Sequence, residues 1–343
     1  MRTYIITGAN GFVGNNIIRE LNSTHTNVEI RALVLPNADL RSLNGLECRV
    51  FSGDITKPKT LIEPFSIKAA ECTEGLYIIH CAGIIDIEAA PNPNLRKTNV
   101  EGTKNVIDVA SSIEDKTGIR PKFIYISSVH AIPESPKGET MIEPLHFSPD
   151  KVVGQYAKSK AEATQYVLEA ISSGIIDGCV VLPSGIIGPF DFSPENMKRL
   201  VQEVANGKLF ATVKGGYDFV DVRDVAKGII ACCEKGANGE SYILSNRSVA
   251  IKEICDDVRL FFGKPPIRVV LPIGLVKVAA PFFESYYRRK KEIPLFTSYA
   301  MHTLQSNSSF SHKKAASELD YTTRSVQDTI FDMVVWMEAV GAL

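Results

Sequence analysis

The chain has 343 residues, 45% of them hydrophobic, and a formal net charge of −1 at pH 7. That length suits one large or two intimately joined domains, and the near-neutral balance gives no electrostatic reason to expect nucleic acid or an anionic membrane as partner. Seven cysteines without CxxC spacing and six histidines without metal-ligand spacing argue against a disulfide scaffold or a metal site, and for buried thiols in a reducing, cytoplasmic compartment.

Met1 and Arg2 lead straight into an apolar run, so no secretory leader is expected. Strands are predicted over 3–7, 28–35, 48–52, 76–81, 122–127 and 179–182, with helical patterns at 12–21, 95–112 and 152–172 between them. The runs YIIT, YIIHCAG and FIYIS are apolar on consecutive residues, as strands buried on both faces should be. This alternation predicts an α/β fold, a Rossmann-type doubly wound parallel sheet. After Pro183 the rhythm changes. The segment LPSGIIGPFDFSPEN leads into a helix at 197–206, followed by a strand-like FVDV, a helix in RDVAKGIIACCEKG and a strand in SYILS. From about Ser248 the pattern is helical with proline breaks, which predicts a second, smaller, mostly helical C-terminal domain. The expected division is 1–183 plus 216–245 for the sheet domain and 184–215 plus 246–343 for the smaller domain. The longest apolar stretch, 269–283, is too short to span a bilayer and carries Lys277 and two prolines. The RRKK run at 288–291 reads as a solvated helix end or, alternatively, as a contact with a membrane surface.

The first helix is preceded by TGANGFVG, with glycines at Gly8, Gly11 and Gly14 around Asn10, Phe12 and Val13. A dinucleotide turn needs glycine for the tight bend, for backbone approach to the pyrophosphate and for helix–strand packing. The helix that follows offers free amides and its positive dipole end to phosphate. Strand two ends in RALVLPNADLRSL, where an acidic residue would grip the ribose hydroxyls of the unphosphorylated cofactor. Leu35 stands there instead and Asp39 lies beyond, while Arg31 and Arg41 nearby either accept a 2′-phosphate or are simply solvated, so NADP(H) is expected over NAD(H). Asp54, beside Ile55 in FSGDIT, either accepts from the adenine amino group or N-caps the next helix.

Tyr156 and Lys160 lie four residues apart in DKVVGQYAKSKAEATQYVLEAI, which reads as an uninterrupted helix and puts both on one face. A free tyrosine, with a pKa of about 10, is a poor proton donor or acceptor at neutral pH, and a fixed cation beside it favours the phenolate. Bringing that pKa to about 7 requires roughly 4 kcal/mol of preferential phenolate stabilisation. Between the glycine turn and this helix, FIYISSVHA is a strand ending in the serine pair Ser127 and Ser128.

TGANGFVG, GDI after strand three, HCAG at 80–83, TNVEGT at 98–103, ISS, YAKSK and LPSGIIGP resemble, in this order, the extended short-chain dehydrogenase/reductase family, and the likeness covers nearly the whole chain. RALVLPNADLRSL, LPSGIIGPF and DFVDVRDVAKGI are most similar to its dihydroflavonol 4-reductase-like branch. The resemblance implies a carbonyl reductase in which Tyr156 is the acid, Lys160 lowers its pKa and holds the nicotinamide ribose, and Ser128 bonds the substrate oxygen. It also implies that Cys81, Ala82, Gly83, Asn99 and Ser127 line the cofactor, with Pro183 and Ile186 near the nicotinamide. Pro133 stands where flavonoid reductases of this branch carry asparagine, which points away from a flavonoid substrate. Val129 and His130 replace the acidic pair of the dehydratase cousins, which argues against sugar dehydration. His130 either faces substrate or is satisfied by hydrogen bonds. Two alternatives remain open, a nucleotide-sugar epimerase with tightly held NAD and a non-catalytic NADPH-binding sensor. The resemblance further implies a homodimer through the helices at 95–112 and 152–172. The second of these presents Val153, Ala157, Ala161, Thr164 and Leu168 as an apolar stripe, which either meets a partner or packs on its own sheet.

Overall fold

The computed structural model describes residues 1–68, 72, 74–86, 92–193, 196–274, 301 and 303–343. The RRKK run and most of the apolar stretch before it lie outside these residues. Seven strands form one parallel sheet: β1 (Arg2–Thr7), β2 (Val28–Val34), β3 (Arg49–Ser52), β4 (Gly75–His80), β5 (Lys122–Ile126), β6 (Asp177–Pro183) and β10 (Ser241–Leu244). Their order is β10-β6-β5-β4-β1-β2-β3, so the strand order reverses between β1 and β4. In register, Thr7 lies opposite both Leu33 and His80, and His80 lies opposite Tyr125. This doubly wound sheet is the fold that the apolar runs predict. Successive residues of β1 serve opposite cores: Ile5 packs with Val106, Phe123 and Val167 on one side, Tyr4 and Ile6 with Ile17, Ile18 and Val225 on the other.

Helices α1 (Phe12–Thr24) and α6 (Val222–Lys235) cover one face, while α3 (Thr103–Thr117) and α4 (Gln155–Ser172) cover the other. The region expected as one helix at 95–112 is interrupted. A short helix α2 (Pro93–Arg96) runs into a π-helical segment, Lys97–Gly102, before α3 begins. The helix expected from 152 also starts late. Pro149–Lys151 forms a 3-10 turn, and Gly154 caps α4 with φ +95°, a backbone state that glycine adopts without strain. The stripe on α4 turns inward: Ala157, Ala161 and Thr164 are buried within the single chain, and Val153 alone is 66% exposed.

The second half of the chain contains more strand than its sequence suggests. Strands β7 (Gly185–Ile187), β9 (Gly216–Asp221) and β11 (Arg247–Ala250) form one small sheet, and β8 (Ala211–Val213) pairs with β12 (Val269–Leu271) in another. Several are three or four residues long, too short to write a periodicity. Around them pack α5 (Asn196–Ala205), α7 (Ile251–Phe261), α8 (Lys313–Leu319) and α9 (Val326–Ala339). Trp336 of α9 packs against Phe190 and Phe192 at ring distances of 6.0 and 5.3 Å, tying the chain's end to the loop after β7.

Candidate active site

The glycine turn joins β1 to α1. Gly8 has φ +65°, and a Cβ there would lie 2.8 Å from the backbone of Ala82, so the turn and the HCAG loop touch backbone to backbone. The Gly11 amide donates to the Gly8 carbonyl at 3.0 Å, and a Cβ on Gly14 would lie 2.8 Å from Ala9 Cα. No side chain caps α1 and no acid sits in its first turn, which leaves its amides and dipole for an anion. This cradle of backbone, closed to side chains, fits a dinucleotide pyrophosphate.

Two cavities run along the carboxyl ends of β1, β4 and β5 and share Gly8, Gly11, Cys81, Gly83 and Ile84. The first, about 530 Å³, is also lined by Asn10, Leu35, Asp54, Ile55, Lys57, Ala82 and Lys97. Leu35 is 58% exposed at its mouth. Asp54 accepts from the Thr56 amide at 2.9 Å and the Thr56 hydroxyl at 2.7 Å, and Lys57 lies 3.3 Å away. Burial works to raise its pKa, but these bonds win and hold the carboxylate below its ordinary value. It closes a local turn and caps no helix, because the following 3-10 turn (Pro58–Leu61) is capped at Lys57 without a side-chain bond.

Arg31 corrects the sequence expectation. It is buried, bonds Glu29 at 2.8 Å, and donates to the carbonyls of Pro64 at 3.2 Å and Ser66 at 2.7 Å, so it lies within the fold and offers nothing to a 2′-phosphate. Arg41 is exposed and pairs with Asp39 at 2.6 Å. Asn10 donates to the Asp39 carbonyl at 3.1 Å and thereby holds that loop beside the cleft.

The second cavity, about 390 Å³, gathers Phe12, Val13, Gly14, Ser127, Ser128, His130, Tyr156, Lys160, Pro183 and Ile186. The sequence-predicted Ser–Tyr–Lys set therefore converges beside the glycine turn. Lys160 is buried, donates to the Ile126 carbonyl at 2.7 Å and lies 5.1 Å from the Tyr125 ring. Burial pushes its pKa down to about 8, so at neutral pH it remains mostly charged. Ser127 turns its hydroxyl towards Thr164 at 2.6 Å, and Thr164 donates in turn to the Lys160 carbonyl, so Ser127 braces α4. Ser128 caps the turn Val129–Ala131 by accepting from the His130 amide at 3.2 Å.

Asn99, in the π-helical segment, grips Ile84 twice: its Oδ1 accepts from the Ile84 amide at 2.8 Å and its Nδ2 donates to the Ile84 carbonyl at 3.0 Å. That Nδ2 also donates to Ser159, which donates to the Tyr156 carbonyl at 2.8 Å. His130 lies on the cavity wall and also has a hydrogen-bond partner. Its ring stacks on Tyr217 at 5.6 Å and meets Tyr156 edge-on at 5.9 Å, and its Nε2 lies 3.4 Å from the Tyr217 hydroxyl. Burial lowers its pKa to about 4, leaving the ring neutral. Beyond it a pocket of about 70 Å³ is lined by Ile132, Met141, Val152, Tyr217 and Phe310. The sequence does not single out Tyr217 or Phe310, which come from distant segments, and gives no role to His80, which opens the HCAG motif at the end of an apolar strand.

The model of the NAD dependent epimerase/dehydratase family matches residues 4–245. The chain belongs to that family. Its members are enzymes that bind NAD(P), and the relatives of this chain include reductases and dehydrogenases. The chain is 27% identical over 344 residues to sterol demethylase protein B of Methylococcus capsulatus, covering 99% of this chain and all of that one. It is 30% identical over 203 residues to 3 beta-hydroxysteroid dehydrogenase type 7 of Mus musculus, covering 54% of this chain and 50% of that one. The crystal structure of gox2253 superposes over the full length of both chains with a TM-score of 0.81 at 29% identity. Among the described residues no helix is long and apolar enough to cross a membrane.

Proposed function

We propose that the protein is an NAD(P)H-dependent reductase of a carbonyl on a small organic molecule. The observation that carries this reading is the convergence of Ser128, Tyr156 and Lys160 on one cavity with the glycine turn. A relative named as a hydroxysteroid dehydrogenase supports redox chemistry over epimerisation and makes steroid-like carbonyls a first class to test. Gly8, Gly11 and Gly14 with the α1 amides would hold the pyrophosphate, flanked by Asn10, Phe12 and Val13. Asp54 and Ile55 would lie at the adenine end, Cys81, Ala82 and Gly83 would wall the middle of the cleft with Asn99 behind them holding the Ile84 loop, and Pro183 and Ile186 would lie at the nicotinamide end. When bound, the cofactor supplies hydride to the carbonyl carbon.

Tyr156 gives its phenolic proton to the carbonyl oxygen, Ser128 donates a hydrogen bond to the same oxygen, and the Lys160 cation stabilises the phenolate left behind. Buried carbonyl and ring partners hold Lys160 in place, so its field is already organised before substrate arrives. NADPH is preferred because no carboxylate stands at Leu35 to accept from a free ribose or repel a 2′-phosphate. Two copies pair through the outward sides of α3 and α4, where Val109, Tyr166 and Leu168 are only partly buried.

The test is steady-state oxidation of NADPH and NADH across aldehydes, ketones and steroid- or flavonoid-like carbonyls, with Tyr156→Phe as the decisive variant. Its kcat should fall below about a tenth of wild type while cofactor Kd holds. A variant above that level removes Tyr156 from the chemistry. Nucleotide-sugar epimerisation with dinucleotide retained through purification would overturn the reading as a whole.

A further inference from the structure

His80, at the end of β4, is fully buried and takes no part in the chemistry above, yet both ring nitrogens are engaged. The Thr7 hydroxyl lies 2.7 Å from Nδ1 and the Thr103 hydroxyl 3.0 Å from Nε2. The direction of every proton follows from the neighbours. Thr103 donates to the Asn99 carbonyl at 2.7 Å, so its oxygen is left to accept from His80 Nε2–H. With the ring's proton on Nε2, Nδ1 is an acceptor, so Thr7, which also accepts the Ala82 amide at 3.1 Å, gives its own proton to Nδ1. A neutral imidazole has one donor and one acceptor, and here a single tautomer satisfies both sides. Burial, reinforced by the Lys160 charge, pushes the His80 pKa down to about 3 and keeps that neutral form.

We infer that His80 is a positioning residue that holds the two halves of the site in register. Through Nδ1 and Thr7 it fixes the Ala82 amide, the backbone that abuts Gly8 and walls the cofactor cleft. Through Nε2–H and Thr103 it fixes the main chain of Asn99, whose side chain ties the Ile84 loop to Ser159 and so to the Tyr156 turn of α4. One arm serves cofactor binding and the other serves the chemical step.

Two substitutions separate the arms. In His80→Asn the side-chain carbonyl takes the place of Nδ1 and can still accept from Thr7, while nothing reaches Thr103. In His80→Gln the amide NH₂ takes the place of Nε2 and can still donate to Thr103, while the acceptor for Thr7 is lost. His80→Asn should lower kcat about tenfold with dinucleotide Kd changed less than about twofold, as expected for one lost buried hydrogen bond acting on the catalytic helix. His80→Gln should raise the Kd for NADPH or NADH about tenfold, with a smaller fall in kcat at saturating cofactor, under about threefold.

Thr103→Val should reproduce the first pattern and Thr7→Val the second, and these near-isosteric variants carry the test if the histidine variants do not fold. A residue that only supports packing would lower thermal stability, kcat and cofactor affinity together in all four proteins. That parallel loss, or no change in either parameter, overturns the inference. The kcat arm rests on the carbonyl-reductase reading; the Kd arm, read by nicotinamide fluorescence without substrate, does not. Absence of any carbonyl turnover in wild type would therefore sink the function while the Kd contrast still decides the role of His80.

Discussion

Replacing Lys160 by methionine should make the protein more stable and inactive. The side chain is buried, with its ammonium 2.7 Å from one carbonyl and 5.1 Å from one ring. Burial moves its pKa from 10.5 to about 8, so in the pH range between these values the folded chain binds fewer protons than the unfolded one. Holding the charge in the folded state at pH 7 then costs about 3 kcal/mol, a cost that falls to about half by pH 9.5 and vanishes above the unfolded pKa. Methionine keeps the apolar stem and removes this burden, but loses a hydrogen bond worth about 1 kcal/mol. The net gain should be about 1–2 kcal/mol at pH 7, shrinking towards zero or reversing by pH 9.5, with kcat down at least about 100-fold. Urea unfolding of both proteins without cofactor, at the two pH values, measures this directly. A variant less stable than wild type at pH 7, or a stability difference independent of pH, would show that the lysine is not held against a desolvation penalty.

Leu35→Asp should shift kcat/KM from NADPH towards NADH by at least about tenfold, since a carboxylate at the cleft mouth repels a 2′-phosphate and accepts from ribose hydroxyls; better NADH than NADPH kinetics in wild type would refute the premise. Gly8→Ala combines a positive φ with a Cβ 2.8 Å from the Ala82 backbone, so dinucleotide binding should weaken by at least about 100-fold in fluorescence titration. Light scattering at micromolar concentration should give twice the 37.6 kDa chain mass, and a monomer at all concentrations would refute pairing through α3 and α4.

The parts of this site that could be read from sequence are those where geometry restricts residue type locally. Strands buried on both faces write unbroken apolar runs, and the glycine turn is dictated by the backbone contact at Gly8. What escaped the sequence depends on distant contacts. Arg31 looks like a cation near a phosphate site, yet its carbonyl partners at Pro64 and Ser66 turn it into a buried strut. The alanines of α4 show by their spacing that one face is buried, but not against what; it is their own sheet. The widened turn at Lys97–Gly102 leaves no period in the sequence, although it carries Asn99 to the Ile84 loop. Tyr217 and Phe310 reach the pocket beyond His130 from strands and loops whose short length hides their path.

Strand β10 rejoins the main sheet beside β6, with Ser241 opposite Val180 and Leu244 opposite Pro183, only after the whole 184–240 stretch has been made. On the ribosome, at about 5–20 residues per second, β6 waits roughly 3–11 s for its edge partner. During that interval Val180, Val181 and Leu182, which are wholly buried in the finished protein, stand at an open sheet edge with unpaired amides and carbonyls. Biosynthesis thus passes through a nascent chain whose cofactor-binding strands have emerged while its sheet is still unsealed. This is the stage at which chaperone capture or strand-edge aggregation competes most directly with folding.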